Sequence, residues 1–152
     1  MSKEHDMVRI VHLSLALVAA IVLAACGATS TAPAATQALT VTAKEFAFTP
    51  TQLTVARGQP VELTFQNTGT VEHDWSVREI DLTGTPTVSG ETGGGHMMGD
   101  MHDMPALHVA AGPGSQGKLT FMPSKAGTYE FYCTVAGHKE AGMAGTLIVK
   151  ES

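Results

Sequence analysis

Residues 127–150 read GTYEFYCTVAGHKEAGMAGTLIVK, and this stretch decides the fold. From Gly127 to Cys133, Tyr129, Phe131 and Cys133 alternate with Thr128, Glu130 and Tyr132. From Gly145 to Lys150, Leu147 and Val149 alternate in the same way. Successive side chains of an extended chain point to opposite faces, so alternation over a short run marks a half-buried strand. Between the two strands lie Cys133, His138 and Met143, with four residues in each gap. The stretch therefore reads strand, loop, strand, and the loop carries a thiol, an imidazole and a thioether.

The same alternation runs outward through the chain. Leu39, Val41 and Ala43 alternate with Thr40, Thr42 and Lys44, and Val61, Leu63 and Phe65 with Glu62, Thr64 and Gln66. Leu53 with Val55, Leu119 with Phe121, Leu107 to Ala110 and Val71 to Val77 supply further runs. Arg57-Gly58-Gln59-Pro60, Asn67-Thr68-Gly69 and Lys125-Ala126-Gly127 punctuate them with turn chemistry. No segment has the period of a long amphipathic helix. These patterns predict an all-β fold, a Greek-key antiparallel β-sandwich of seven to eight strands. Residues 83–105, TGTPTVSGETGGGHMMGDMHDMP, read as a long Gly-rich loop holding four of the eight methionines.

A chain of 152 residues allows one ordinary domain. Hydrophobic residues at 43% against charged residues at 15% can fill a core, which excludes a disordered polyampholyte. The net charge of −5 supplies no basic stripe for phosphates, so nucleic acid is not the expected partner. Two cysteines are too few for a disulfide-stapled miniprotein.

The first cysteine belongs to an address. Lys3 and Arg9 precede an apolar run from Leu13 to Ala25, shorter than a comfortable membrane span but of signal-peptide length. The run ends Leu23-Ala24-Ala25-Cys26, which resembles a bacterial lipobox. Residues 1–25 then form a lipoprotein signal peptide, and Cys26 becomes a lipidated N-terminus. Residues 26–38 add a flexible Ala/Thr/Pro tether, and the folded domain follows over residues 39–152. Cleavage removes two cations and two anions, so the net charge stays at −5. The expected location is extracytoplasmic, anchored to the cell membrane on its periplasmic or outer face.

With Cys26 lipidated, Cys133 has no disulfide partner, and an odd cysteine in an exported protein needs another role. His73 opens the run Val71 to Val77 upstream. His73, Cys133, His138 and Met143 together offer two imidazoles, one thiolate and one thioether, the ligand set of a type-1 copper site. Thiolate and thioether suit Cu(I), and imidazole serves both oxidation states. Zinc does not normally recruit a thioether. A catalytic Cys–His pair lacks a third group to orient His138 and leaves the methionine idle.

The run FYCTVAGHKEAGMAGTLIV resembles the copper loop of the cupredoxins, the family of plastocyanin, azurin and auracyanin, and is most similar to its membrane-tethered auracyanin-type members. The resemblance covers about residues 39–150. It implies one copper ion, cycling between Cu(I) and Cu(II), on His73, Cys133, His138 and Met143. It also implies a bracing role for the residue after the first histidine, commonly Asn in the family and here Asp74. A carboxylate only accepts, which pairs it with the Thr134 hydroxyl. Val135, not being proline, has an N–H free to donate to the Cys133 sulfur. By the same analogy His138 shows its ring edge at the surface among Ala136, Gly137, Ala141 and Gly142, with Lys139 and Glu140 at the rim. Trp75 and Val77 are expected in the core.

Within residues 83–105, His96, Met97, Met98, Met101, His102 and Met104 form a candidate secondary copper loop. His108, in a strand pattern, is expected to be structural. The leading expectation is a non-enzymatic, membrane-tethered carrier of single electrons between respiratory or photosynthetic redox complexes outside the cytoplasm. The alternative is an extracytoplasmic copper-buffering or delivery protein using the Met/His-rich loop. Nitrite reductases and multicopper oxidases need further domains and histidine clusters, and a dinuclear electron-entry site needs a second loop cysteine.

Overall fold

The computed structural model describes residues 35–90 and 104–152. Residues 1–25, Cys26 and most of the tether lie outside them, as do His96, Met97, Met98, Met101 and His102. The described chain forms the expected β-sandwich. One sheet has the order β2-β1-β4-β8-β6, built from β1 (Gln37–Lys44), β2 (Ala47–Thr49), β4 (Val61–Asn67), β6 (Thr87–Gly90) and β8 (Gln116–Phe121). The other has the order β3-β10-β9-β5-β7, from β3 (Gln52–Ala56), β5 (His73–Val77), β7 (Leu107–Ala111), β9 (Gly127–Tyr132) and β10 (Ala144–Lys150).

The alternation seen in the sequence is the alternation of burial. In β4, Val61, Leu63, Phe65 and Asn67 are buried and the residues between them half-buried. Phe48, Phe65, Phe131, Trp75 and Leu147 meet between the sheets, with Trp75 wholly buried and Val77 beside it. Trp75 lies 5.5 Å from Phe131 and 6.3 Å from Phe121, ring centre to ring centre. These rings fill the core, as expected for Trp75 and Val77.

Three features differ from the sequence reading. The described residues form ten strands rather than seven or eight. The extra ones are β2, of three residues, and β6, of four residues all exposed. Neither is long or buried enough to show a burial period. Thus Thr87–Gly90, read as part of the long loop 83–105, is an edge strand held by its ladder to β8. Secondly, β1 pairs with β4 and β3 with β10 in parallel, while the other ladders are antiparallel. Chain crossings between the sheets bring these strands side by side in one direction, which local alternation does not encode. Thirdly, β1 starts two residues before the alternation at Leu39, and Gln37 pairs with Val61.

Candidate metal centre

The four predicted ligands come from two places. His73 is the first residue of β5, a strand buried along its whole length. Cys133 follows the last residue of β9, and His138 and Met143 lie on the turn leading into β10. The loop is laced by its own backbone. The Cys133 N–H donates to the Met143 carbonyl at 3.1 Å, Met143 N–H to His138 at 3.0 Å, and His138 N–H to Val135 at 3.0 Å. These bonds close the loop on itself, so the spacing of four residues sets the spacing of the donors.

At the centre, His73 Nδ1 lies 3.2 Å from His138 Nδ1, which lies 3.4 Å from Cys133 Sγ. The donor atoms of all three residues lie within 4.8 Å of one another, and all three are buried. Met143, on the same loop, is fully buried. A proton can bridge one pair of these atoms but not satisfy three. Metal–nitrogen bonds of about 2.0 Å and metal–sulfur bonds of about 2.3 Å separate neighbouring donors by roughly 3.2–3.8 Å, close to what is found. The donor set therefore fits a metal ion, and its softness fits copper.

Burial shifts the titration of two ligands, Cys133 and His73. It pushes the Cys133 thiol up to about 11, opposed by backbone N–H groups of Asp74 and Val135 that donate to the sulfur. The Val135 donor is the one expected from the absence of proline. Burial lowers the pKa of His73, and the neighbouring His138 lowers it further. A neutral imidazole is the metal-binding form.

Asp74 ties the two halves of the centre together. Its carboxylate accepts from the Thr134 N–H at 2.9 and 3.1 Å and from the Thr134 hydroxyl at 2.8 Å. It lies 3.7 Å from the Cys133 thiol. Ser76 donates to Asp74 at 2.9 Å, and His108 Nδ1 stands 2.8 Å from the Ser76 oxygen. With the serine proton committed to Asp74, His108 must donate, which assigns its proton to Nδ1.

Small residues surround His138 at the surface. Ala136, Gly137, Ala141 and Gly142 are exposed, but His138 is only 8% exposed. The ring of Phe46 stands edge-on to it, with centroids 5.2 Å apart and planes at 82°. Lys139 and Glu140 are both exposed beside His138, and Lys139 pairs with Glu130 at 2.6 Å and lies over the Tyr132 ring. Met104, from the candidate secondary loop, is 48% exposed and lines a separate surface cavity with Arg78, Lys125 and Tyr129.

The chain matches the model of the copper-binding proteins of the plastocyanin/azurin type over residues 35–150. It belongs to the plastocyanin/azurin family of copper-binding proteins. As in other cupredoxins, His73, Cys133, His138 and Met143 form a site for one copper ion. The chain is 36% identical over 105 residues to the copper-resistant cuproprotein CopI of Rubrivivax gelatinosus, covering 68% of this chain and 59% of that protein. It thus spans about three fifths of that relative's length. It is 31% identical over 112 residues to auracyanin-A of Chloroflexus aurantiacus, covering 70% of this chain and 68% of that one. The structure of reduced auracyanin from Roseiflexus castenholzii superposes with a TM-score of 0.56 at 25% identity, over 77% of this chain and 98% of the other.

Sequence reasoning passed over residues that deliver His73 to this cupredoxin centre. Asn67, buried at the end of β4, donates to the carbonyls of Val71 at 2.7 Å and Ala111 at 2.8 Å and accepts from the Gly69 N–H at 2.9 Å. Gly69 is buried, and a Cβ there would stand 3.0 Å from His73 Nε2 and 2.9 Å from Glu45 Oε1. The signal available was the Asn-x-Gly turn four residues before the histidine. Nothing in the sequence ties Glu45 and Phe46 to a centre formed by the far end of the chain.

Proposed function

We propose that the protein is a type-1 copper electron carrier, tethered through a lipid on Cys26 and working outside the cytoplasm. The observation that carries this reading is the buried triad of His73 Nδ1, His138 Nδ1 and Cys133 Sγ, 3.2 and 3.4 Å apart at the closest pairs. Copper bound there supplies a one-electron change between Cu(I) and Cu(II). The residues hold the donor set still. β5 fixes His73, the backbone bonds of the 133–143 loop fix the other ligands, and Asp74 joins the two. A set fixed before the electron arrives needs little rearrangement when it does, so transfer is fast. Burial excludes water, and four protein ligands leave no position for a substrate, so the protein carries electrons and catalyses no reaction of its own. Redox complexes of a respiratory or photosynthetic chain are the proposed partners. The signal peptide of residues 1–25 and the tether of residues 26–38 support an extracytoplasmic, membrane-anchored location.

A second reading is favoured by one observation: a 36%-identical relative is a copper-resistant cuproprotein. On that reading the protein buffers or delivers copper, with His96, Met97, Met98, Met101, His102 and Met104 as a further, labile binding loop. The two readings separate in one experiment. Electron self-exchange of the copper-loaded protein and transfer of its copper to a Cu(I) chelator are measured side by side. A carrier exchanges electrons rapidly and retains its copper for hours; a buffer gives copper up within minutes and loses that capacity when the loop methionines are replaced. Slow self-exchange together with prompt copper transfer would overturn the carrier reading.

A further inference from the structure

Phe46 occupies an unfavourable place without a structural reason in its own hairpin. Glu45 and Phe46 form the two-residue connection between β1 and β2, where Lys44 pairs with Ala47. Phe46 has φ of +59°. Left-handed backbone suits glycine or asparagine and disfavours a bulky side chain. The ring is also 51% exposed, so it gains little from burial. What it does reach is His138, edge-on at 5.2 Å, which leaves that ligand 8% exposed.

The hairpin tip is held in that place. Glu45 Oε1 accepts from the Thr70 N–H at 2.5 Å and from the Thr70 hydroxyl at 2.9 Å. Thr70 follows Gly69, whose missing side chain lets Glu45 and His73 approach each other. On the other side, His138 belongs to a loop with Gly137 and Gly142 at positive φ, both exposed. Ala136, Gly137, Ala141 and Gly142 of that loop are too small to cover the ring. Phe46 supplies the cover.

We propose that Phe46 is a positioning residue that closes the metal centre over His138, latched by the Glu45–Thr70 contact, and that it keeps small external ligands from reaching the bound metal. The proposal rests on the reading of His73, Cys133, His138 and Met143 as a copper site. Removing the ring opens the edge of the centre carried by His138. Small anions and chelators then gain access, and the imidazole gains freedom to swing away.

The decisive variant is Phe46→Gly, which removes the ring and relieves the left-handed backbone together. The full copper-loaded chain is compared with Phe46→Gly, Phe46→Tyr and Glu45→Gln. Thermal unfolding of the apo-protein, azide binding followed by EPR of the Cu(II) form, and capture of Cu(I) by bicinchoninate are measured for each. Phe46→Gly is expected to be as stable as the parent or more so, yet to bind azide where the parent does not and to lose Cu(I) at least tenfold faster. Phe46→Tyr should restore the parent behaviour, and Glu45→Gln should fall between. A ring that merely packs would lower stability and metal retention together. Unchanged azide response and Cu(I) loss in a folded Phe46→Gly protein overturn the proposal. NMR of the apo-protein adds an arm independent of copper: the His138 ring protons should shift when the Phe46 ring is removed, and their failure to move overturns the contact itself. A parent protein that takes no copper at these four residues would instead sink the reading of the site, while the NMR arm still decides the contact.

Discussion

At the scale of residues, the centre is a balance between burial and charge. A thiol pushed up to about 11 is protonated at neutral pH, so copper must displace its proton. Release of one proton per copper from Cys133 is expected at pH 7–8, measured with an indicator dye in unbuffered solution; Cys133→Ser should abolish it. The same shift fixes a stability window for the apo-protein. A thiol whose folded pKa is raised from 9.0 to about 11 favours the fold below about pH 9, and that contribution disappears as pH climbs through 11. His73 acts at the other end. Its pKa is lowered from 6.5, so the unfolded chain takes up the proton first, and the apo-protein loses stability as pH falls below about 6.5. Denaturant unfolding of the apo-protein between pH 4 and 11 should therefore give a dome with both flanks present. Removal of copper should be needed to see them, because the metal competes with both protons. Asn67 makes a further case: Asn67→Ala removes two donated bonds and one accepted bond around the turn before His73. At about 1 kcal/mol per bond, a loss of about 2–4 kcal/mol in unfolding free energy is expected.

At the scale of elements, legibility followed burial. Strands with one face in the core, such as β4 and β10, announced themselves by alternation because their buried side chains must be apolar. β6 did not, because all four of its residues are exposed and its place is set by the ladder to β8. β2 was too short to show a period. The copper loop was legible for a different reason: its ligands are close in sequence, so their spacing and types stand side by side. His73 was legible only because a lone histidine opened a strand pattern. Phe46 and Glu45 were not legible, since their partners His138 and Thr70 lie 92 and 25 residues away. One packing test belongs at this scale. Gly145 of β10 faces Phe131 of β9, and a Cβ there would collide with the Phe131 ring and with the Thr51 carbonyl. Gly145→Ala must displace an aromatic ring of the core and the backbone beside it. An unfolding free energy lower by about 1–3 kcal/mol is expected, read from urea denaturation. Phe131→Leu in the same chain should recover part of the loss.

At the scale of the whole molecule, one sheet brings the residue at the head of its β5 against the loop between its β9 and β10, and a hairpin from the opposite sheet leans over the result. The fold class followed from alternation and turns, whereas the parallel pairings β1–β4 and β3–β10 depend on how the chain crosses between sheets. The ligand set ties β5 to the loop between β9 and β10 within one sheet, because His73 and the 133–143 loop meet through the metal as well as through Asp74. Copper should therefore raise the unfolding temperature, and Cys133→Ser should remove most of that gain. The central claim is that these four residues make one constrained type-1 centre, and visible and EPR spectra of the protein titrated with Cu(II) test it most directly. The account predicts an intense thiolate-to-copper absorption and a narrow copper hyperfine splitting that saturate at one equivalent and vanish in Cys133→Ser. A colourless protein, or copper that binds equally well to Cys133→Ser, would contradict it.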